Sequence, residues 1–338
     1  MNVSKITMAH GSGGRDSAEL MRDIFGRHFA NEVLDRLEDG AVLPPSPESL
    51  VVSTDSFVVT PIEFRGGDIG KLSVCGTVND VLMMGAIPEY LTCGFILEEG
   101  LDIAVLDRIA MSMAAAAREA DVLIVAGDTK VVEGRNNGLM INTTGIGTLR
   151  DRSAHPSAAN ARPGDVVIVS GNLGDHHACI LSARMGIANN IGSDCAILCE
   201  MADSLLNNDI DVHVMRDVTR GGLGTVLNEI ANASGQVVEL SEQEIPVDAE
   251  VRDFCGIMGL DPLYMGNEGK LVAIVPQAQA ERALDLMRAA EAGRHARAIG
   301  KVIGADVNVG RGSVVMRTKI GGTRRVDVLF GEGLPRIC

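Results

Sequence analysis

The chain has 338 residues, 46% of them hydrophobic and 22% charged, which suits a globular protein long enough for two domains. Its net charge of −15 sets the surface against nucleic acid and anionic membrane, so a polyanionic substrate needs local cations or a metal ion here. With no Trp and 3% aromatic residues the core is aliphatic, and seven scattered cysteines without a CxxC pair argue against a disulfide framework and for a reducing cytoplasm.

In chain order, AHGSGGR (Ala9 to Arg15) is a glycine-rich loop ahead of a helical pattern. Gly11, Gly13 and Gly14 free backbone N–H groups to converge on one anion, and a helix N-terminus adds to them. The loop lacks the GK[ST] ending of a Walker A motif, and its bland reading is a plain N-terminal loop. Apolar spacing at three and four predicts a helix over Ser17–Asp39, and SLVVSTDSFVVTP predicts β-structure. A helix over Ile69–Ala86, an extended Pro88–Leu97 and a helix over Leu101–Ala120 with Asp102 at its start follow. DVLIVAG reads as a short buried strand and Gly138–Leu149 as an alternating one.

The turn Arg162-Pro163-Gly164-Asp165 leads into the strand VVIVSG, and the domain boundary falls just before it. Helices are expected near 175–187, 194–208, 222–234 and 277–291, with strands near 236–240 and 270–275. Gly321-Gly322 between SVVMRTKI and TRRVDVLF predicts a hairpin. Connections are too short for repeated parallel crossovers, so the expected class is α+β. It has an N-terminal lobe (1–150), a C-terminal lobe (151–330) and a mobile tail (331–338) ending in Cys338. Eight extended residues span ~26 Å, which makes that tail a tether with a thiol at its tip. Pro335 stiffens it, and Arg336 offsets the neighbouring carboxylate that would raise the thiol pKa.

Five aspartates stand beside apolar runs: Asp39, Asp55, Asp80, Asp128 and Asp217. One such residue is usually a cap or turn former. Five together call for compensation, because desolvating a carboxylate is costly, and the nearby cations are few: Lys71, Lys130, Arg216 and Arg220. A hard cation such as magnesium, bridging carboxylates to nucleotide phosphate, compensates them all. In GNEGK, Glu268 stands between glycines at a strand entry, as a base or as a turn residue. Cys195 and Cys199 make at most half a metal site; core cysteines are the plainer reading.

Together AHGSGGR, STDSFVVTP, VNDVLMMGA, GDTKVV, RDVTRGGL, GNEGK and the closing PRIC resemble the HypE family of hydrogenase maturation factors, in the aminoimidazole ribonucleotide synthetase-like superfamily. The resemblance spans essentially the whole chain. PRIC is its most specific part, since relatives such as selenophosphate synthetase lack such a tail. It implies two α+β lobes of the superfamily type and a homodimer paired through its N-terminal lobes. It also implies an ATP-dependent dehydration that turns a thiocarbamate on Cys338 into a thiocyanate. The implied partners are the carbamoyltransferase HypF, which supplies the carbamoyl group, and HypC with HypD, which hold the iron that receives cyanide for NiFe hydrogenase.

The same resemblance implies the site. Asp39, Asp80 and Asp217 would hold Mg2+. Gly11, Ser12, Gly13, Gly14, Asp55, Lys71, Asn79, Asp128 and Thr129 would hold ATP, with Asp128 as a further metal ligand. Glu268 would take a proton from the carbamoyl nitrogen, Lys130 would polarise the carbonyl or relay a proton, and His10 would meet the γ-phosphate or the thiocarbamate. The plainer roles are a turn for Glu268, an ion pair with Asp128 for Lys130 and an ordered loop for His10. Two other functions compete: a small-molecule synthetase of the same superfamily, and a non-catalytic nucleotide-binding scaffold.

Overall fold

A computed structural model describes residues 5–11, 15–36, 43–44, 46, 48–134, 138–150, 155–304 and 310–328. Ser12, Gly13, Gly14 and Asp39, the Arg336 reading and the tail carrying Cys338 lie outside them. The described residues divide into two compact units. The first runs to Val81 and resumes over Ala86–Arg150; the second takes Leu82–Gly85 and the described residues from 155 onward.

The first unit opens with α1 (Arg15–Leu20), a π-helical turn over Met21–Gly26, and α2 (Arg27–Phe29). Helix stops at Phe29, ten residues short of the expected Asp39. The cause is Asn31, whose Oδ1 accepts from the N–H groups of Val33 and Leu34, both at 3.0 Å. Its Nδ2 donates to the carbonyls of Phe29 at 3.0 Å and Ile124 at 2.8 Å. An Asx turn of this kind competes with the helix for its backbone groups.

The sheet of this unit has β1 (Leu50–Phe57), β4 (Ala86–Glu98), β5 (Leu123–Val132) and β6 (Leu139–Leu149) in the order β1-β6-β4-β5, with β2 (Glu63–Phe64) and β3 (Gly67–Asp68) as a separate ribbon. Only β4 and β5 pair in parallel, and α4 (Ile103–Glu119) links them. Asp102 caps α4, accepting the Ala104 N–H at 3.0 Å. The expected short buried strand at DVLIVAG is instead ten residues long, with Ile124, Val125 and Val131 buried and Leu123, Asp128, Lys130 and Val132 exposed, because one face of its sheet is left open; β5 is also an edge strand.

Helix α3 (Ile69–Met83) is buried along its length, and Ser73, Thr77 and Asn79 are buried with its apolar residues. Asp68 caps it, accepting from the N–H groups of Gly70 at 2.8 Å and Lys71 at 3.0 Å. Thr77 and Thr143 meet at 2.6 Å, and Thr143 donates to the Ser73 carbonyl at 2.9 Å, which fixes α3 on β6.

The second unit is built on a seven-stranded sheet: β7 (Val166–Val169), β8 (Val214–Asp217), β9 (Val237–Ser241), β10 (Leu271–Val275), β11 (Arg297–Val302), β12 (Ser313–Arg317) and β13 (Thr323–Val326). Their order is β13-β12-β9-β11-β7-β10-β8. All pair antiparallel except β9 with β12. Every residue of β7 and β10 is buried, the mark of strands covered on both faces. Helices α5 (Asp175–Met185), α6 (Cys199–Leu206), α7 (Gly222–Ser234), α8 (Ala249–Met258) and α9 (Ala280–Ala289) surround it. Leu223, Leu227 and Ile230 of α7 share one core with Val167, Val238, Val272 and Ile274. The architecture is α+β in both units. Helix α6 begins at Cys199, not 194, because the segment ahead of it turns its polar groups elsewhere: Ser193 Oγ accepts the Cys195 N–H at 3.1 Å. Cys195 is buried there, and no group of three candidate ligands from His, Cys, Asp and Glu forms among the described residues.

Candidate active site

In the first unit, β1 and α3 bring two of the five aspartates together. Ser53 and Asp55 are two apart on β1 and share the face that meets α3. Ser53 Oγ donates to Asp80 Oδ2 at 2.6 Å, and Asp55 Oδ1 accepts the Ser56 N–H at 2.8 Å. Gly76 lets the strand come close: a Cβ there would lie 2.8 Å from the Phe57 ring and 3.9 Å from Asp55 Oδ2. Asp80 is one turn further along the same helix face, with buried Asn79 beside it. Lys71 is not part of this group. It lies nine residues before Asp80 in the first turn of the helix, ~13 Å away along the axis.

Asp128, Thr129 and Lys130 lie on β5, three strands from β1. Asp55 pairs Thr143, which pairs Cys93, which pairs Gly127. That row marks the helix-covered face, so Asp128 and Lys130 project on the other face. Lys130 Nζ binds both Asp128 oxygens, at 2.7 and 2.6 Å. The Lys130 ammonium, with the Thr129 N–H, holds the Asp128 carboxyl below the usual carboxylate range. Both side chains are largely exposed, so this pair is held by geometry and not by burial. Thr129 faces the covered side, its Oγ1 3.8 Å from Met21 Sδ.

His10 lies in a short 3-10 turn (Met8–Gly11) and is buried. Its Nδ1 accepts the Thr7 N–H at 3.0 Å, which leaves Nε2 as the protonated nitrogen of the neutral ring.

In the second unit, Asp217 closes β8 and stands opposite Leu271, the first residue of β10. The loop Gly266–Lys270 enters β10 at that same end of the sheet, so Asp217 and Glu268 share one sheet corner. The loop is closely held. Asn267, fully buried, accepts the Gly174 N–H at 2.7 Å and donates to the Val218 carbonyl at 2.9 Å. Both backbone polar groups of Glu268 are taken by one neighbouring segment: its N–H donates to Asp194 Oδ1 at 3.1 Å, and its carbonyl accepts the Ala196 N–H at 3.3 Å. Gly269 presses directly on the Asp194 carbonyl, leaving no room for a Cβ. Asp194 Oδ2 ion-pairs with Lys270 Nζ at 3.1 Å, and their side chains are 3% and 10% exposed. Burial works against the Asp194 charge, but Lys270, His176 and the Glu268 N–H outweigh it and keep its carboxyl below the usual range.

Neither Asp194 nor Lys270 stands out in the sequence as a site residue. The one signal is the Lys270 that closes GNEGK.

Asp175 opens α5 beside this network. Burial, and then the nearby charge of Asp194, push its carboxyl up to about 7. Burial pushes His176 down to about 4, so its ring is neutral at pH 7. The folded chain thus holds a proton on Asp175 that an unfolded carboxyl near 3.9 has lost, and stability falls as pH rises from ~4 through 7. Asp175→Asn is expected to raise the Tm of the second unit at pH 8, by ~2–4 °C for each kcal/mol relieved in a unit of this size, and to leave it unchanged near pH 4. Thermal unfolding at both pH values checks this, and an equal shift at both would refute it.

The family model of the AIR synthase related protein N-terminal domain matches residues 37–149, and that of the C-terminal domain matches residues 162–312. Carbamoyl dehydratase HypE of Azotobacter vinelandii is 49% identical over 336 residues, covering 98% of this chain and 97% of that protein. A crystal structure of hydrogenase maturation protein HypE in complex with ATP superposes with a TM-score of 0.94 at 50% identity, over 98% of this chain and 99% of that one. A chain from a crystal structure of a HypE–HypF complex matches with a TM-score of 0.79 at 43% identity, over 92% of this chain and 99% of its own. The chain belongs to the HypE family of the AIR synthase related proteins, a family of carbamoyl dehydratase enzymes. Among the described residues no helix is long and apolar enough to cross a membrane.

Proposed function

We propose that this chain dehydrates a thiocarbamate on Cys338 to a thiocyanate at the expense of ATP, supplying cyanide for the iron of NiFe hydrogenase. The observation that carries this reading is the near full-length likeness to a HypE that holds ATP. HypF supplies the carbamoyl group, and the HypC–HypD complex receives the cyanide. The presence of HypF beside a similar chain supports the first of these.

The chemistry sets the roles. A carboxamide oxygen leaves poorly, so it attacks the γ-phosphorus of ATP. ADP departs and one N–H proton is lost. The C–O bond then breaks, phosphate carries the oxygen away, the second N–H proton leaves and C≡N forms. Glu268 accepts a proton from the carbamoyl nitrogen; its half-buried position on a doubly tied backbone supports that role. Gly11 to Gly14 and His10 cradle the phosphates, with Asp55, Asn79 and Thr129 completing the nucleotide site; Lys71, ~13 Å along α3 from Asp80, and Asp128, on the other face of the sheet, stand apart from them within one chain. Lys130 polarises the carbonyl when a ligand draws it from Asp128.

Asp39, Asp80 and Asp217 would hold Mg2+. The donors fit a hard cation, since Asp80 and its neighbour Asp55 offer carboxylate oxygen and no thiolate. Bound there, the ion would supply charge neutralisation for the phosphates.

A second copy of the chain completes the assembly. The uncovered face of the first unit's sheet exposes Leu50, Val52, Ile87, Ile96, Leu123 and Val132 together, an apolar surface that pairing of two sheets buries.

The test is the mass of the peptide ending in Cys338. After incubation with the carbamoyl donor system it gains a carbamoyl group, and on adding ATP it loses one water. Cys338→Ser shows no thiocyanate. Water loss without ATP, or no adduct on Cys338, refutes the reading.

A further inference from the structure

The second unit contains an open cavity of about 460 Å³ lined by Arg252, Arg288, Arg294, His295, Arg297 and Lys319. They come from α8, α9, the turn after α9, the start of β11 and the β12–β13 turn. Among the described lining residues there is no carboxylate. That runs against the composition, since the chain has 45 acidic residues against 30 Lys and Arg.

Two of the guanidinium groups are anchored. Arg288 Nε donates to the Ala296 carbonyl at 3.0 Å, and Arg252 Nη2 donates to the Val247 carbonyl at 3.1 Å. Each spends one N–H on a neutral acceptor and keeps its charge and its other donors. Arg294 meets Glu291 at 2.9 Å, and Arg297 meets Glu244 at 3.9 Å. All four of those side chains are at least half exposed, so these pairs hold weakly and an incoming anion can displace them.

We propose that this cavity is a binding site for a compact, multiply charged phosphate anion of the pyrophosphate class. Guanidinium forks match phosphate oxygens two at a time. The volume falls in the range of small-ligand sites. Apolar lining is confined to Ile245–Val247 and Ala296, which offers little to an apolar body and favours a ligand that is mostly charge. Cations converging from five places suit several phosphate oxygens better than one carboxylate.

The test is calorimetric titration of the full chain with pyrophosphate, inorganic phosphate and an oligoglutamate peptide. The wild-type chain is expected to bind pyrophosphate more tightly than phosphate, with an affinity that falls as salt rises. Arg252→Gln with Arg288→Gln should weaken one pyrophosphate-binding event by at least about tenfold while ATP affinity stays unchanged. Should that variant melt early, Arg294→Gln with Lys319→Gln, both at exposed positions, reads the same loss. Identical pyrophosphate isotherms for wild type and both variants overturn the proposal. Binding of oligoglutamate without pyrophosphate also overturns it, and assigns the cavity to an acidic protein segment.

Discussion

Glu268→Gln is expected to retain ATP affinity and the carbamoyl adduct on Cys338, and to slow the ATP-dependent loss of water by ~10²–10⁴-fold, the usual worth of a general base. Gln matches Glu in size and leaves both backbone ties of the residue, to Asp194 and Ala196, untouched. What it removes is the ability to take a proton. Glu268→Asp keeps a carboxylate but withdraws it by one methylene, so it should fall between the two. Single-turnover mass analysis of the Cys338 peptide separates the steps. Full activity in Glu268→Gln would mean that another group or water takes the proton and that Glu268 is a turn residue.

The sequence carried the elements with strong local signals. Asp102 ahead of an Ala-rich amphipathic run marks the start of α4. Gly321-Gly322 marks the β12–β13 hairpin, whose strands pair antiparallel. It did not carry β8, which is four residues long, or β11, whose pairing slips between Ala298 and Gly300. Helix α8 does carry a local signal: Asp248 caps it, and Val251, Phe254 and Cys255 recur at three and four. The site shows a similar divide. Aspartates in apolar context were visible, but their partners were not, because partners come from register and not from spacing. Asp80 draws on Ser53, 27 residues away. Asp128 is exposed and paired with Lys130, so burial never threatened it. Asp194, 3% exposed, needs compensation, yet it stands in the unremarkable run IGSDCAI. Its partner Lys270 lies 76 positions further on, in a motif singled out for its glutamate.

That buried pair gives the second large effect. Asp194→Ala is expected to cost about 3–5 kcal/mol, because it leaves the Lys270 ammonium, 10% exposed, without its ion-pair partner and the Glu268 N–H without its acceptor. Two double variants divide the loss. Asp194→Asn with Lys270→Met removes both charges but keeps an oxygen where Oδ1 accepts the Glu268 N–H. It should recover most of the stability, since replacing both members of a buried pair is far milder than removing one, and it should still dehydrate. Asp194→Leu with Lys270→Met also removes both charges, but no acceptor faces Glu268. It should fold with part of the stability restored and lose dehydration while still binding ATP. Urea unfolding and single-turnover mass analysis supply the two readouts. If both double variants turn over equally, the Asp194 contact does not position Glu268, and the pair serves stability alone.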